Sequence, residues 1–539
     1  MPSVNRRSLL AGAAATIGVG AVSAAGLTEL GKSSKGKPAS VAANSIPVTR
    51  ESHRVVIIGS GFGGGVTALR FGQAGIECLV LERGMRWPTG PNSSTFPTIK
   101  NLDKRVFWYT SDPQINFLGT TLRLFEKYTG ILEQVSGNGM SMTVAAGLGG
   151  GSLVYQGMTL QPSEAVFEAT MPAGLDYAKM NSVYYPRVAK MLQIETAPDA
   201  LVNSKTYLPP RIFAQKVRRA GYELEKIPMP IDWSFALREL TGELKPSYTN
   251  GDCSLGVNNG GKHSVDVTYI AAAVATGNVT VAVQHNVTDV ALNKDGTWQI
   301  DVDRIATDGT VLEKKIITAK ALVMAAGTAG TTRLLMRAGG KGQIPDLPDG
   351  LGTNWGSNGD RIYLWTDYAE DFGNPQGGPV VYGSKDWSDP SVANTVIQAS
   401  LPPVGDLHST VIVGYGVSKG RGKFVYDSAK DDAVLQWPNG ADGPLYKRIQ
   451  ERVSKITGQS SSLLDTEVIG QSTWHPLGGA SMGVVCDLAG RVQGHRGLYV
   501  LDGALMPGTT AACNPSMTIA AVAERATDEL IAKDAGVIF

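Results

Sequence analysis

The sequence predicts an α/β fold (α+β overall), with a Rossmann-like dinucleotide-binding domain in discontinuous segments and a β-sheet/helix domain inserted between them. Three stretches carry this expectation. Arg54–Gly84 reads as an apolar strand (Val55–Ile58), a glycine-rich turn, a helix marked by Val66, Leu69, Arg70 and Ala74, and a second strand over Ile76–Leu81. Ala321–Thr328 is another apolar run ending in glycine and leading into a helix through Arg337, the pattern of a chain rejoining a parallel sheet. Gly497–Leu501 is a third apolar strand, ending in Asp502-Gly503.

In the first stretch Gly59, Gly61 and Gly64 occupy the G-x-G-x-x-G positions. Such glycines serve a tight turn, backbone approach to a pyrophosphate, and close helix–strand contact. The free N–H groups at a helix start favour an anion there. Glu82 stands at the end of the second strand, where an acid binds ribose hydroxyls. An ordinary loop can carry glycines, but strand, helix, strand and terminal acid in register point to a dinucleotide; this stretch alone does not choose between NAD and a flavin.

The composition bounds the function classes. At 539 residues the chain has room for two or three domains. With 42% hydrophobic and 18% charged residues it reads as globular, and a net charge of +1 offers no footprint for nucleic acid. Six histidines without an H-E-x-x-H or paired Cys-x-x-Cys argue against a metal. Cys78, Cys253, Cys486 and Cys513 are too few and scattered for a disulfide framework.

Residues 1–45 read as a signal peptide and linker. Asn5-Arg6-Arg7-Ser8-Leu9-Leu10 opens an uncharged Ala/Gly-rich stretch, as in twin-arginine export signals, and Ala39–Ala43 offers a small-residue cleavage site. A transmembrane anchor is the rival, and the weak apolarity of the stretch disfavours it. The domain reading assigns 46–90, 265–345 and 465–539 to the dinucleotide domain, and 91–264 and 346–464 to the inserted one.

Further along, Met85–Thr98 is an irregular Pro/Gly/Ser-rich excursion, and Asn116–Leu132 is aromatic-rich and amphipathic, either a lid that touches lipid or a half-buried segment. Gly147 and Gly149–Gly151 form a second glycine run, a turn or, beside a dinucleotide fold, a second cofactor contact. Val279–Val283, Val287–Leu292 and Trp298–Val302 read as strands joined by Asp-Gly turns. Thr395–Leu401 and Thr410–Val417 read as strands of the inserted domain, and Leu445–Ile456 as a surface helix.

Two residues stand out for chemistry. His475, in Trp474-His475-Pro476-Leu477-Gly478-Gly479, is held in a constrained backbone, and an imidazole can take the proton of an alcohol as its hydride departs. Asn514-Pro515 starts the last helix; Asn514 caps it, aims its N-terminus at a reducible ring, or does both. Gly479-Ala480-Ser481-Met482-Gly483 matches a nucleophile elbow, but the preceding His-Pro-Leu-Gly-Gly cannot form the strand that an elbow needs.

Together, Gly59–Gly63, Glu82-Arg83-Gly84, Gly149–Val154, Trp474–Gly479 and Asn514-Pro515, with Gly260–Tyr269 and Gly420–Asp427, make the chain resemble the bacterial FAD-dependent cholesterol oxidases of the glucose–methanol–choline oxidoreductase superfamily. The resemblance runs from about Val48 to the C-terminus. It implies a non-covalently bound FAD contacted by Phe62, Gly63, Glu82, Gly151, Met158, Val287 and Gly503, beside Gly59, Gly61, Gly64, Asp502 and Asn514 of the glycine loop and tail. It also implies a steroid pocket in the inserted domain, with His475 bonding the 3-hydroxyl, Asn514 facing the reduced ring, and oxygen leaving as hydrogen peroxide. A sterol and O2 are then the partners of an exported monomer that touches a lipid surface. Another bulky alcohol is the rival substrate, and a steroid carrier with a structural flavin is the rival class. Three departures stand, one of them an extra residue between Asp502 and Asn514. Gln398 occupies the place of a family glutamate that shifts the steroid double bond, so isomerisation is expected to be slow or absent, since an amide takes up no proton. Tyr155 replaces a family asparagine.

Overall fold

The structure, a computed structural model, describes residues 45–539 apart from 112–113, 118–119, 124, 404–405 and 469. The export signal lies outside the described residues, as do the side chains of Asn116–Arg123 in the suggested lid. The first segment contains β1 (Val48–Ile58), α1 (Phe62–Gln73) and β2 (Cys78–Glu82), followed by the hairpin β3 (Leu132–Ser136) and β4 (Ser141–Ala145). After α2 (Leu208–Arg219) and β5 (Glu225–Lys226) come β6 (Val279–Val283), β7 (His285–Leu292), β8 (Trp298–Ile305), β9 (Val311–Met324) and α3 (Gly327–Gly340). Next are β10 (Arg361–Thr366), β11 (Tyr382–Asp386), β12 (Asn394–Ala399), β13 (Ser409–Gly416) and α4 (Gly443–Thr457). The chain ends with β14 (Ser462–Asp465), β15 (Ser472–Thr473), β16 (Leu498–Val500) and α5 (Pro515–Lys533).

Two large sheets organise these elements. The first runs β6-β2-β1-β9-β8-β7, with β16 added beside β9. Its centre is parallel: Val55–Ile58 face Cys78–Leu81 on one side and Ala321–Met324 on the other. All eight residues of the first two runs are buried, which explains why they read as continuous apolar strings without alternation. β9 is long enough to serve two neighbours on the edge opposite β1. Its first part pairs antiparallel with β8, and Leu322–Met324 pair in parallel with Leu498–Val500 of β16. The chain therefore brings residues 55–82, 321–327 and 498–503 to one sheet end.

The second sheet runs β14-β10-β13-β12-β11-β5 and is antiparallel throughout. Its two faces do different work. Ile362, Ile397, Ala399, Val411 and Val413 share one face by register, since Val413 stands opposite Ile362 and Ile397, and Val411 opposite Ala399. Val396, Ile412 and Tyr363 lie on the other, packed on Ile212, Phe213 and Val217 of α2 and on Leu445, Ile449 and Val453 of α4. The Leu445–Ile456 segment is thus a helix, as expected, with one buried face. β15 pairs with β4, which places the His475 segment beside the β3–β4 hairpin.

Candidate active site

A continuous cavity of about 620 Å³ runs between the end of the parallel sheet and the aliphatic face of the antiparallel one. The glycine turn after β1 forms its floor. Gly59 sits at φ +101°, a conformation that favours glycine, and its N–H donates to the Leu81 carbonyl at 2.8 Å. A side chain at Gly61 would meet nothing within 4 Å, so the space beside this backbone is open. The second glycine run folds into a short 3₁₀ turn, Gly150–Leu153, and Gly150 packs against the Gly61 backbone. Ser60 joins the two loops: its hydroxyl donates to Glu82 Oε2 and accepts the Gly149 N–H at 3.0 Å.

Glu82 is buried at the end of β2, where its Oε1 accepts the Gly84 N–H at 2.8 Å. Burial pushes its carboxyl above the ordinary range, and the Ser60 and Gly84 bonds oppose that. Lys262 secures the second loop from behind. Its Nζ donates to the carbonyls of Leu153 at 3.0 Å and Tyr155 at 2.6 Å and lies 4.8 Å from the Tyr155 ring centre. Burial pulls this ammonium down to about 7. Tyr155 in turn meets Phe62 edge-on at 5.4 Å, with its hydroxyl buried and unpartnered.

Of the expected cofactor contacts, Gly59, Gly61, Phe62, Gly63, Glu82, Gly151, Met158, Val287, Asp502, Gly503 and Asn514 all line the cavity. Gly64 does not. A side chain there would strike the Gly59 carbonyl and the Ala325 methyl, so Gly64 lets α1 close on the sheet and is not a ligand contact. Asp502 faces the cavity with its acceptors already engaged, by the N–H groups of Gly327 and Ala504 at 2.8 Å and by the Thr331 hydroxyl. Burial raises it to about 6.

His475 and Asn514 also line this cavity. The His475 Nδ1 stands 2.7 Å from Asp360 Oδ1, which leaves Nε2 as the nitrogen available to the cavity, and Tyr415 supports the ring edge-on at 6.0 Å. Asp360 is the group that the sequence reading missed. It lies 115 residues before His475, with no motif around it. Asn514 makes no side-chain cap on α5. Its Nδ2 donates to the Met158 carbonyl and, at 2.8 Å, to Ser516 Oγ, while its Oδ1 accepts the Leu160 N–H at 3.4 Å. The amide thus fastens the helix start to the Met158–Leu160 segment, and Pro515 and Ser516 also reach the cavity.

Gln398 requires correction. The cavity is lined by Ile397 and Ala399, whereas Gln398, opposite Ile412, lies on the helix-covered face of β12. There it is buried and its Nε2 donates to Thr410 Oγ1 at 2.9 Å. Gln398 is therefore not an active-site group, and the expectation about isomerisation loses its premise. The elbow-like Ser481 is buried and donates to the Met506 carbonyl at 2.9 Å, a structural role.

Charge divides the cavity wall. Arg83 pairs with Glu133 at 2.5 Å and Arg333 pairs with Asp432, all beside the parallel-sheet end and the β3–β4 hairpin. The opposite wall is Ile362, Ile397, Ala399, Val411 and Val413, with Ile99 and Leu255. Among the described residues no group of three or more His, Cys, Asp or Glu could hold a metal ion.

Two models of the GMC oxidoreductase family match residues 121–355 and 431–523, together more than half of the chain. The chain belongs to the GMC oxidoreductase family. It is 25% identical to a cholesterol oxidase of Mycobacterium tuberculosis, over 88% of this chain and 91% of that one. It is 24% identical to a cholesterol oxidase of Acinetobacter baumannii, over 89% and 94%. Among solved structures, pyridoxine 4-oxidase from Mesorbium loti superposes with a TM-score of 0.61 at 16% identity, over 88% of this chain and 99% of that one, a likeness of fold. The cofactor of this GMC oxidoreductase is FAD. The open space at Gly61, the buried acid Glu82 and the cavity lined by both Val287 and Asn514 fit such a group.

Proposed function

We propose that this GMC oxidoreductase oxidises the 3-hydroxyl of cholesterol or a related sterol to the ketone, with O2 as final acceptor and H2O2 as the second product. One observation carries the reading. The wall that faces the cofactor floor across the cavity is aliphatic and uncharged, and a proton-accepting nitrogen stands at the same cavity. FAD, when bound, supplies a two-electron acceptor for a hydride from the carbinol carbon. The chain does the rest. Ile362, Ile397, Ala399, Val411 and Val413 present a flat hydrocarbon surface that excludes water and orients a rigid apolar alcohol. His475 Nε2 accepts the hydroxyl proton. The start of α5 places positive helix-dipole potential at the cavity, where negative charge accumulates during reduction. The curated relatives named as cholesterol oxidases support the sterol as substrate. Arg6-Arg7 and the Ala/Gly-rich stretch behind them support an exported enzyme.

The test is anaerobic mixing of the purified flavoprotein with cholesterol, followed by a peroxide-release screen over sterols, short alcohols and pyridoxine. Bleaching of the flavin band by sterols is expected. Bleaching by pyridoxine or short alcohols alone sinks the sterol reading, and sterol binding without bleaching marks a carrier.

A further inference from the structure

We infer that Asp360 is a positioning residue that sets the tautomer of His475, holding the proton on Nδ1 and keeping Nε2 bare toward the cavity. This deepens the proposed alcohol oxidation and rests on it only for the kinetic part of the test.

The geometry leaves the carboxylate little choice. Asp360 is 6% exposed and stands just before β10. Its Oδ2 accepts the Trp474 N–H at 3.1 Å and the Thr473 hydroxyl at 2.8 Å, and its Oδ1 faces His475 Nδ1 at 2.7 Å. The Thr473 hydroxyl oxygen also accepts the His475 N–H at 2.9 Å. Backbone and ring of His475 are therefore held by one small cluster. An ionised carboxylate only accepts, so the neutral imidazole facing it must donate from Nδ1. The second ring nitrogen then carries a lone pair, the state required to take a proton from an alcohol. The opposite tautomer presents an N–H to the substrate hydroxyl and accepts nothing.

Asp360→Asn separates this role from simple packing. The Trp474 N–H is a backbone donor and stays one, so the oxygen of the new amide must remain beside it. The amide NH2 then faces His475 and forces Nδ1 to accept, which moves the ring proton to Nε2. In a serine-protease triad, the corresponding change leaves the geometry intact and lowers kcat about 10⁴-fold through the wrong tautomer.

The experiment uses holoprotein labelled with ¹⁵N-histidine, with spectra recorded through an alkaline pH series until the ring signals stop moving, and His475 resonances identified by their loss in His475→Ala. The wild type is expected to show a protonated Nδ1 and a bare Nε2, and Asp360→Asn the reverse. A wild-type ring carrying its proton on Nε2 overturns the proposal even if the variant does not fold. An unchanged tautomer in a folded Asp360→Asn overturns it as well. In parallel, Asp360→Asn is expected to keep its flavin and to lower the rate of anaerobic flavin reduction by cholesterol at least ~100-fold, with KM little altered; an unaltered rate overturns the proposal. If cholesterol does not reduce the wild type, the sterol reading fails while the spectra still decide the role of Asp360.

Discussion

At the scale of single residues, the site separates groups that meet the substrate from groups that hold others in place. His475 has one ring nitrogen bound to Asp360 and one left for chemistry. His475→Ala is expected to reduce turnover about 10²–10⁴-fold, the range for loss of a positioned acid–base group, while the flavin spectrum stays. Equal turnover in stopped-flow reduction removes His475 from the reaction. Asn514 works differently. Both of its N–H groups are engaged, by Met158 and Ser516. In Asn514→Asp a carboxylate oxygen replaces that donor and faces the Met158 carbonyl, which keeps the Ser516 hydroxyl as its donor; the buried acceptor-to-acceptor contact costs about 1–3 kcal/mol. A lower Tm and faster flavin release on dilution are the expected signs, and Asn514→Asp with wild-type melting contradicts the cross-link.

At the scale of elements, register decides which side chains reach the cavity. On β12, Ile397 and Ala399 line it and Gln398 does not. Ile397→Trp should therefore raise KM for a sterol at least tenfold with a modest change in Tm. Gln398→Glu should leave KM alone and lower Tm, because it buries a carboxylate beside Thr410. The opposite pattern in steady-state kinetics and melting curves would put Gln398 back in the cavity. The glycine turn gives a matching contrast. Gly61→Val projects into open space and is expected to yield a folded protein without flavin, whereas Gly64→Val strikes backbone and destabilises the fold itself. Absorbance at the flavin band and thermal melts distinguish them. These elements also mark the limits of the sequence. The turn after β1 is legible because strand, glycines and acid lie within about thirty residues and act through local backbone geometry. The face occupied by Gln398 is not, because Asn394–Gln398 are all buried and no polar–apolar alternation marks the core side. Asp360 is illegible for another reason: its function resides in one contact made across 115 residues of chain.

At the scale of the whole molecule, the cofactor site is assembled late. Gly59, Glu82, Gly150–Met158, His285–Val287, Gly327, Asp502 and Asn514 line one cavity yet come from segments spread over more than four hundred residues, so they meet only once the parallel sheet has closed around β9 and β16. A nascent chain therefore has no flavin site, and a chain that crossed a membrane unfolded would have to find FAD on the far side. Export after folding avoids this, and a twin-arginine leader is suited to such cargo. The leader reading rests on Arg6-Arg7 ahead of an uncharged Ala/Gly-rich stretch. Replacing both arginines, Arg6→Lys with Arg7→Lys, should leave folding and flavin content unchanged and retain the holoprotein in the cytoplasm, because charge persists while the arginine pair is lost. Cell fractionation with flavin fluorescence of each fraction checks this. Flavin-loaded protein still exported at wild-type level would exclude the twin-arginine route, and the double variant accumulating outside the cell as apoprotein would show that FAD is acquired after crossing.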